Sequence, residues 1–269
     1  MERGPVSPPS AEVCAAFGVS GRAIALDGGA GRSFRVGDVV LKYGDDSVEL
    51  AWVQALTARM TADGFRVAAP VATVDGDPVH HGWAASTFVD GLRPAAPDWD
   101  LVRAVGRRFG AAATQAARAL DPLPGRRHRW AVADRCAWDE ERVQLALDAD
   151  AIVGRLRSAV PVDHEPPTVI HGDLTGNVHL DPEGEAVVLD VTPYIRPARW
   201  ADAIVVADAV LWHDAPVDLI GSFASSITGR DLVGRALVFR LIAEQLADRP
   251  RHGADLAPFE RVVATLERP

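Results

Sequence analysis

Between residues 169 and 190 the chain reads Val169-Ile170-His171-Gly172-Asp173-Leu174-Thr175-Gly176-Asn177-Val178, and later Val187-Val188-Leu189-Asp190. Two carboxylates and one carboxamide stand between short apolar runs rich in β-branched residues. Phosphoryl transfer requires a carboxylate that orients or deprotonates an attacking hydroxyl. It also requires oxygen ligands that hold Mg²⁺ across nucleotide phosphates. Asp173, Asn177 and Asp190 supply these groups in that order.

Composition adds weight to two of the positions. Of 28 basic residues 27 are Arg, and Lys42 is the only lysine; Asn177 is the only asparagine. In a chain so biased toward Arg, a surviving lysine points to a place where a compact ammonium cannot be exchanged for a planar guanidinium. A surviving asparagine points to a need for a neutral carbonyl oxygen and a donor amide on one short side chain. Lys42 follows a glycine-rich stretch, Gly28-Gly29-Ala30-Gly31-Arg32-Ser33, at the distance that places a fixed positive charge beside phosphates.

The elements that must position these groups follow from periodicity. Residues Ser10 to Phe17 suggest a short helix and Ala23 to Leu26 a strand. Phe34 to Val36 and Val39 to Tyr43 form a hairpin around Gly37-Asp38. Ser47 is the expected N-cap of a helix reaching Gly64, with Glu49 inside it. Strands are expected over Val67 to Val74 and Val79 to Val89. Past Asp90-Gly91 the period changes to helical, with helices over Asp98 to Leu120 and from about Trp138 to Val160. Strands over Thr168 to His171, Val178 to Leu180 and Ala186 to Asp190 interrupt it, and helices resume near Ala198, Val217, Arg230 and Asp255. The expected class is α+β: a small antiparallel-sheet lobe over residues 1–91 and a mainly helical lobe over 92–269.

With these residues in place the chain resembles the aminoglycoside phosphotransferase family, the small-molecule branch of the protein-kinase-like superfamily. The resemblance covers nearly the whole chain and implies a bilobal kinase-like fold, ATP (or GTP in its place) with Mg²⁺, and a hydroxyl on a small molecule as acceptor. Carried over by position, it makes Asp173 the catalytic base, Asn177 and Asp190 the metal ligands, Lys42 the contact to the α- and β-phosphates, and Glu49 the partner holding Lys42. His171 braces the loop. Ser33 and the amides of Gly29, Ala30 and Gly31 cover the phosphates, and main-chain groups around Thr87, Phe88 and Val89 meet the base. Asp202 is the expected anchor of the catalytic loop. The chain departs from the family pattern in two places. The step from Asp173 to Asn177 is four residues where the family has five, and Glu49 lies only seven residues after Lys42. Val191-Thr192-Pro193 follows Asp190 where protein kinases have Phe-Gly, which suits the small-molecule branch. The shortened loop leaves a second reading, a degenerate kinase fold that binds nucleotide or a partner without turnover.

A formal charge of -9 excludes the basic balance of proteins that neutralise nucleic-acid backbones, and is compatible with a cationic acceptor. The longest apolar run, Ala203 to Trp212, is ten residues and is broken by Asp208, against roughly 20 for a membrane span. The first ten residues carry three prolines and no apolar core, so no secretory leader is expected and the cytoplasm is the expected compartment. Cys14 and Cys136 read as reduced core thiols. Walker, dinucleotide-binding, serine-elbow and His-Glu-x-x-His motifs are lacking. His80 and His81, adjacent in an expected strand, should point to opposite faces, so no zinc site is expected there.

Overall fold

A computed structural model describes residues 6–27, 31–157, 161–247 and 255–267. The hairpin of β2 (Ser33–Val36) and β3 (Val39–Tyr43) alternates as its sequence directs. Phe34, Val36 and Leu41 turn inward, while Ser33 and Lys42, directly opposed in register, share the other face. Flanked by β1 (Ile24–Ala25), β6 (Trp83–Thr87) and β5 (Pro70–Val71), they form an antiparallel sheet ordered β1-β2-β3-β6-β5. Helix α1 (Ala11–Ala16), capped by Ser10, closes a small core with Val13, Cys14 and Phe17 against Phe34, Leu41 and Trp83.

Helix α2 (Ser47–Arg59) starts one residue earlier than expected. The cap is Asp46, whose carboxylate accepts from the amides of Val48 and Glu49; Ser47 is the first helical residue.

The strand expected over Val67 to Val74 divides between two sheets. β4 (Arg66–Val67) runs parallel to β10 (Ala186–Val188), whereas β5 pairs with β6. Pro70, which has no amide proton, stands where the two pieces part. β10 continues through β9 (Val178–Leu180) to β7 (Arg93–Pro94), giving a second sheet ordered β4-β10-β9-β7. The segment expected to belong wholly to the first lobe therefore lends one strand to the second.

The helical lobe packs α3 (Trp99–Ala117), α4 (Arg129–Ala137), α5 (Leu147–Leu156), α6 (Ala198–Trp212), α7 (Asp218–Phe223), α8 (Ile227–Gln245) and α9 (Ala257–Leu266) around one core. α6 is buried on every side from Trp200 to Leu211 and lies against both α3 and α8. The helix expected from Trp138 to Val160 is not continuous. α4 ends at Ala137, Asp139 turns left-handed, and α5 begins at Leu147. Ion pairs override local helix preference there: Arg196 takes Glu140 and Arg135 takes Glu141. The two-stranded ribbon of β8 (Thr168–His171) and β11 (Pro193–Arg196) lies between the helices; β11 was not expected. Among the described residues no helix is long and apolar enough to cross a membrane, and both cysteines are free and buried.

α8 crosses α5 closely. A Cβ added at Gly234 would stand 2.5 Å from the carbonyl oxygen of Leu156. Gly234→Ala is expected to lower unfolding free energy by about 1–3 kcal/mol in urea titrations, because backbone rather than a flexible side chain must yield.

Candidate active site

β8 delivers His171 into the core, its ring edge-on to Phe109 with centroids 5.2 Å apart. Nδ1 accepts the amide of Asp173 (3.1 Å), and Nε2 faces the carbonyl of Leu189 (3.4 Å), so the proton sits on Nε2. Burial pushes the imidazole pKa down to about 4, against the opposing pull of Asp173 and the Leu189 carbonyl. A neutral ring thus ties the loop after β8 to the segment carrying Asp190. Gly172 is required beside it: an added Cβ would lie 2.3 Å and 2.4 Å from ring carbons of Tyr194.

The Asp173 carboxylate is half-exposed, and its Oδ1 accepts from Arg240 Nη2 (3.0 Å). Asn177 folds back across the shortened loop. Its Nδ2 donates to the Asp173 carbonyl (2.7 Å) and lies 3.3 Å from Asp173 Oδ2, which leaves its amide oxygen as the remaining polar atom.

Beneath the loop, Arg240 of α8 and Asp208 of α6 form a buried two-pronged pair, Nε to Oδ1 at 2.7 Å and Nη2 to Oδ2 at 2.5 Å. Arg240 Nη2 also reaches the Gly172 carbonyl (3.3 Å), and Thr175 donates its hydroxyl to Asp208 (3.1 Å). Burial works against the guanidinium charge, but Asp208 and Asp173 more than offset it and raise its pKa.

Asp208 therefore does what was expected of Asp202, whose carboxylate instead pairs with Arg107 of α3 (2.7 Å). The signal was present in the sequence. A lone acid inside the apolar run Ala203 to Trp212, and a lone Arg inside Val238-Phe239-Arg240-Leu241-Ile242, each need a buried partner of opposite charge.

Across the cleft, Lys42 of β3 forms an ion pair with Asp190. Asp190 holds a left-handed backbone (φ 47°), fixed by Thr192 Oγ1 donating to its carbonyl (2.9 Å). The Leu189 amide donates to the Asn177 carbonyl (2.8 Å). Lys42, Asp173, Asn177 and Asp190 are thus joined by one continuous set of bonds through His171 and Leu189.

Other expected residues fall elsewhere. Glu49 does not hold Lys42. From the first turn of α2 its carboxylate takes Arg126 (3.0 Å) and His128 (3.2 Å), and Arg126 also donates to the Pro193 carbonyl (2.8 Å). Burial alone raises the Glu49 pKa, but His128 and Arg126 outweigh it and hold the pKa below its ordinary value. Ser33 lies beside Lys42 across the strands, and Gly31 is left-handed (φ 71°). Gly29 and Ala30 lie outside the described residues. Thr87 and Phe88 direct their amides to the carbonyls of Ala69 and Asp38 (each 2.8 Å), so neither donates to a nucleotide base in this arrangement. Val89, just beyond the end of β6, is half-buried.

Residues 18–224 match a family described as the phosphotransferase enzyme family. The chain belongs to that family. No curated protein matches its sequence. Solved structures share the fold at low identity. A choline/ethanolamine kinase family protein from Mesorhizobium loti is 17% identical, with 94% of this chain and 90% of that one covered and a TM-score of 0.55. An aminoglycoside phosphotransferase from Alicyclobacillus acidocaldarius subsp. acidocaldarius is 15% identical, with 98% and 96% covered and a TM-score of 0.55. An amicoumacin kinase in complex with AMP-PNP, Ca²⁺ and Ami is 16% identical, with 91% and 86% covered and a TM-score of 0.55.

Two outcomes follow from the buried groups. His171 stays neutral in the folded chain down to about pH 4, while the unfolded chain takes up that proton below about 6.5. Stability should therefore fall as pH drops from about 6.5 toward 4, by at most about 1.4 kcal/mol per unit from this residue, and His171→Gln should flatten that part of a urea-denaturation series. Asp208→Asn strands the Arg240 charge and should cost about 3–5 kcal/mol, part of which Arg240→Met should restore in the double variant.

Proposed function

We propose that the protein is a small-molecule kinase, transferring the γ-phosphoryl group of ATP, with Mg²⁺, to a hydroxyl of a small acceptor. The observation that carries this reading is the Lys42–Asp190 ion pair across the cleft, bonded through His171 and Leu189 to Asp173 and Asn177. Membership in the phosphotransferase enzyme family supports it.

The site suits a hard divalent cation. Asp190 offers carboxylate oxygen, and Asn177, with its amide nitrogen committed to Asp173, offers a neutral oxygen; hard oxygen donors are what Mg²⁺ prefers. Asp190 and Asn177 would hold the ion, which when bound neutralises charge on the phosphates. A related fold that binds AMP-PNP with Ca²⁺ is consistent with both nucleotide and cation. GTP fits the same phosphate chemistry in place of ATP, and dependence on a nucleoside triphosphate agrees with a cytoplasmic setting.

Asp173 orients the acceptor hydroxyl and takes its proton as the oxygen–phosphorus bond forms and the bond to the β-phosphate oxygen breaks, releasing ADP. Arg240 ties down Oδ1 of the carboxylate, while Oδ2, which accepts a longer contact from Asn177 Nδ2, keeps a lone pair for the hydroxyl. Lys42 stays at the phosphates, and Asp190 keeps its ammonium directed there. Most of the rate gain comes from this positioning.

A cavity of about 280 Å³ in the helical lobe is lined by Trp212, Asp214, Glu244 and Asp255. The Trp212 ring lies 5.7 Å from the Arg240 guanidinium, so the cavity wall adjoins the residue that holds Asp173. Its carboxylates favour an acceptor bearing a basic amine.

The test is a product screen. The protein is incubated with Mg²⁺-ATP and a library of sugars, amino alcohols and aminoglycosides, and products are read by mass. The expected result is a gain of one phosphoryl group on at least one acceptor. Asp173→Asn should lower turnover about 10²–10⁴-fold while nucleotide binding persists, and Lys42→Met should weaken nucleotide binding. Nucleotide binding without any phosphorylated product would overturn the proposal.

A further inference from the structure

His80 and His81 are not extended, contrary to the reading from sequence alternation. His80 and Trp83 exchange backbone hydrogen bonds (2.9 and 2.8 Å) around His81 and Gly82, which have φ of 48° and 79°. Two successive left-handed residues make the tight mirror-image turn that joins twisted strands, and histidine is among the residues that tolerate this conformation. The turn brings the two imidazoles to the same side, with ring centroids 4.2 Å apart and planes at 68°.

Helix α1 sends Glu12 to the same place. One ring nitrogen of each histidine and one carboxylate oxygen of Glu12 lie within 4.8 Å of one another. His81 Nε2 and Glu12 Oε1 are 3.5 Å apart, longer than an ordinary N–H···O bond. Two ligands each about 2.1 Å from a tetrahedral zinc ion stand about 3.4 Å from one another, so this separation matches a shared cation better than a shared proton. His80 Nε2 is shut away from solvent and has no hydrogen-bond partner among the described residues. Burial of a polar nitrogen without a partner is unfavourable, and coordination satisfies such an atom.

We propose that Glu12, His80 and His81 form a binding site for a late first-row divalent cation, Zn²⁺ foremost, that fastens α1 to the turn leading into β6. Two imidazoles and one carboxylate are a borderline donor set, suited to Zn²⁺ and its neighbours rather than to Mg²⁺ or Ca²⁺, and water completes a four-coordinate sphere. Glu12 and His81 are exposed, so they can swing the remaining distance inward while the buried side of His80 holds the register. The site lies on α1 and the turn before β6, made of residues that the phosphotransfer reading does not use. It stands or falls independently of that reading.

The test uses the full chain without a histidine tag, stripped with chelator and titrated with Co²⁺ and Zn²⁺. Expected are one equivalent bound with micromolar affinity, the intense visible bands of four-coordinate cobalt, their loss on adding Zn²⁺, and a higher melting temperature with Zn²⁺ present. His81→Asn keeps a residue at ease with the left-handed turn while removing the ligand, and Glu12→Gln changes only an exposed helix position. Each should weaken binding about tenfold or more without lowering the melting temperature of the metal-free protein. The His80→Gln/His81→Asn double variant should lose the cobalt bands. The proposal is overturned if the natural chain takes up no stoichiometric cation, or binds it as tightly as the double variant does.

Discussion

A guanidinium enclosed by protein holds this site together. Arg240 and Asp208 leave water as a pair, and removing two charges from solvent is expensive enough that apolar residues of similar volume would serve stability as well or better. What apolar residues cannot supply is direction. The planar fork of Arg240 points at Asp208, the Gly172 carbonyl and Asp173 at once, while Asp208 adds the Thr175 hydroxyl. Three positions of the six-residue loop between β8 and β9 are thereby referred to two long helices that are buried nearly throughout. Catalysis by positioning depends on such a rigid reference.

A second layer of contacts refers the small lobe to the same frame. Glu49 at the head of α2 meets Arg126 and His128, and Arg126 continues to the Pro193 carbonyl and stacks 4.4 Å over Tyr194, the ring that packs against Gly172. The helix that family resemblance would direct at Lys42 is directed at the floor of the site instead. Lys42 pairs instead with Asp190, and the two side chains hold each other in place.

Much of this was legible in the residues. Lys42 and Asn177 stood out because the chain uses each type once, and both occupy the cleft. The β2–β3 hairpin followed from alternation, and the helical lobe from the change of period after Gly91. Failures arose where long-range contacts outweighed local preference. Residues 139 to 146 read as helix but are held by Arg135 and Arg196 from other elements. Glu49 has the right type but stands in the first turn of α2, only seven residues after Lys42, and its partners come from a segment far along the chain. His80 and His81 alternate as in a strand, and only the left-handed backbone at His81 brings them together. Asp208 and Arg240 were readable in principle, as single charges in otherwise apolar helices, but a single charge does not name its partner.

The exchange of β4 into the second sheet has a consequence for how the molecule can be divided. Severing the chain after residue 91 would leave β10 with a bare parallel edge in one fragment and Arg66–Val67 with nothing to pair with in the other. The two lobes are therefore interlocked rather than merely linked in series. The sheet β1-β2-β3-β6-β5 lies wholly before the cut, whereas β4-β10-β9-β7 draws on both sides of it, so the larger fragment would lack an edge strand that only the smaller one can supply.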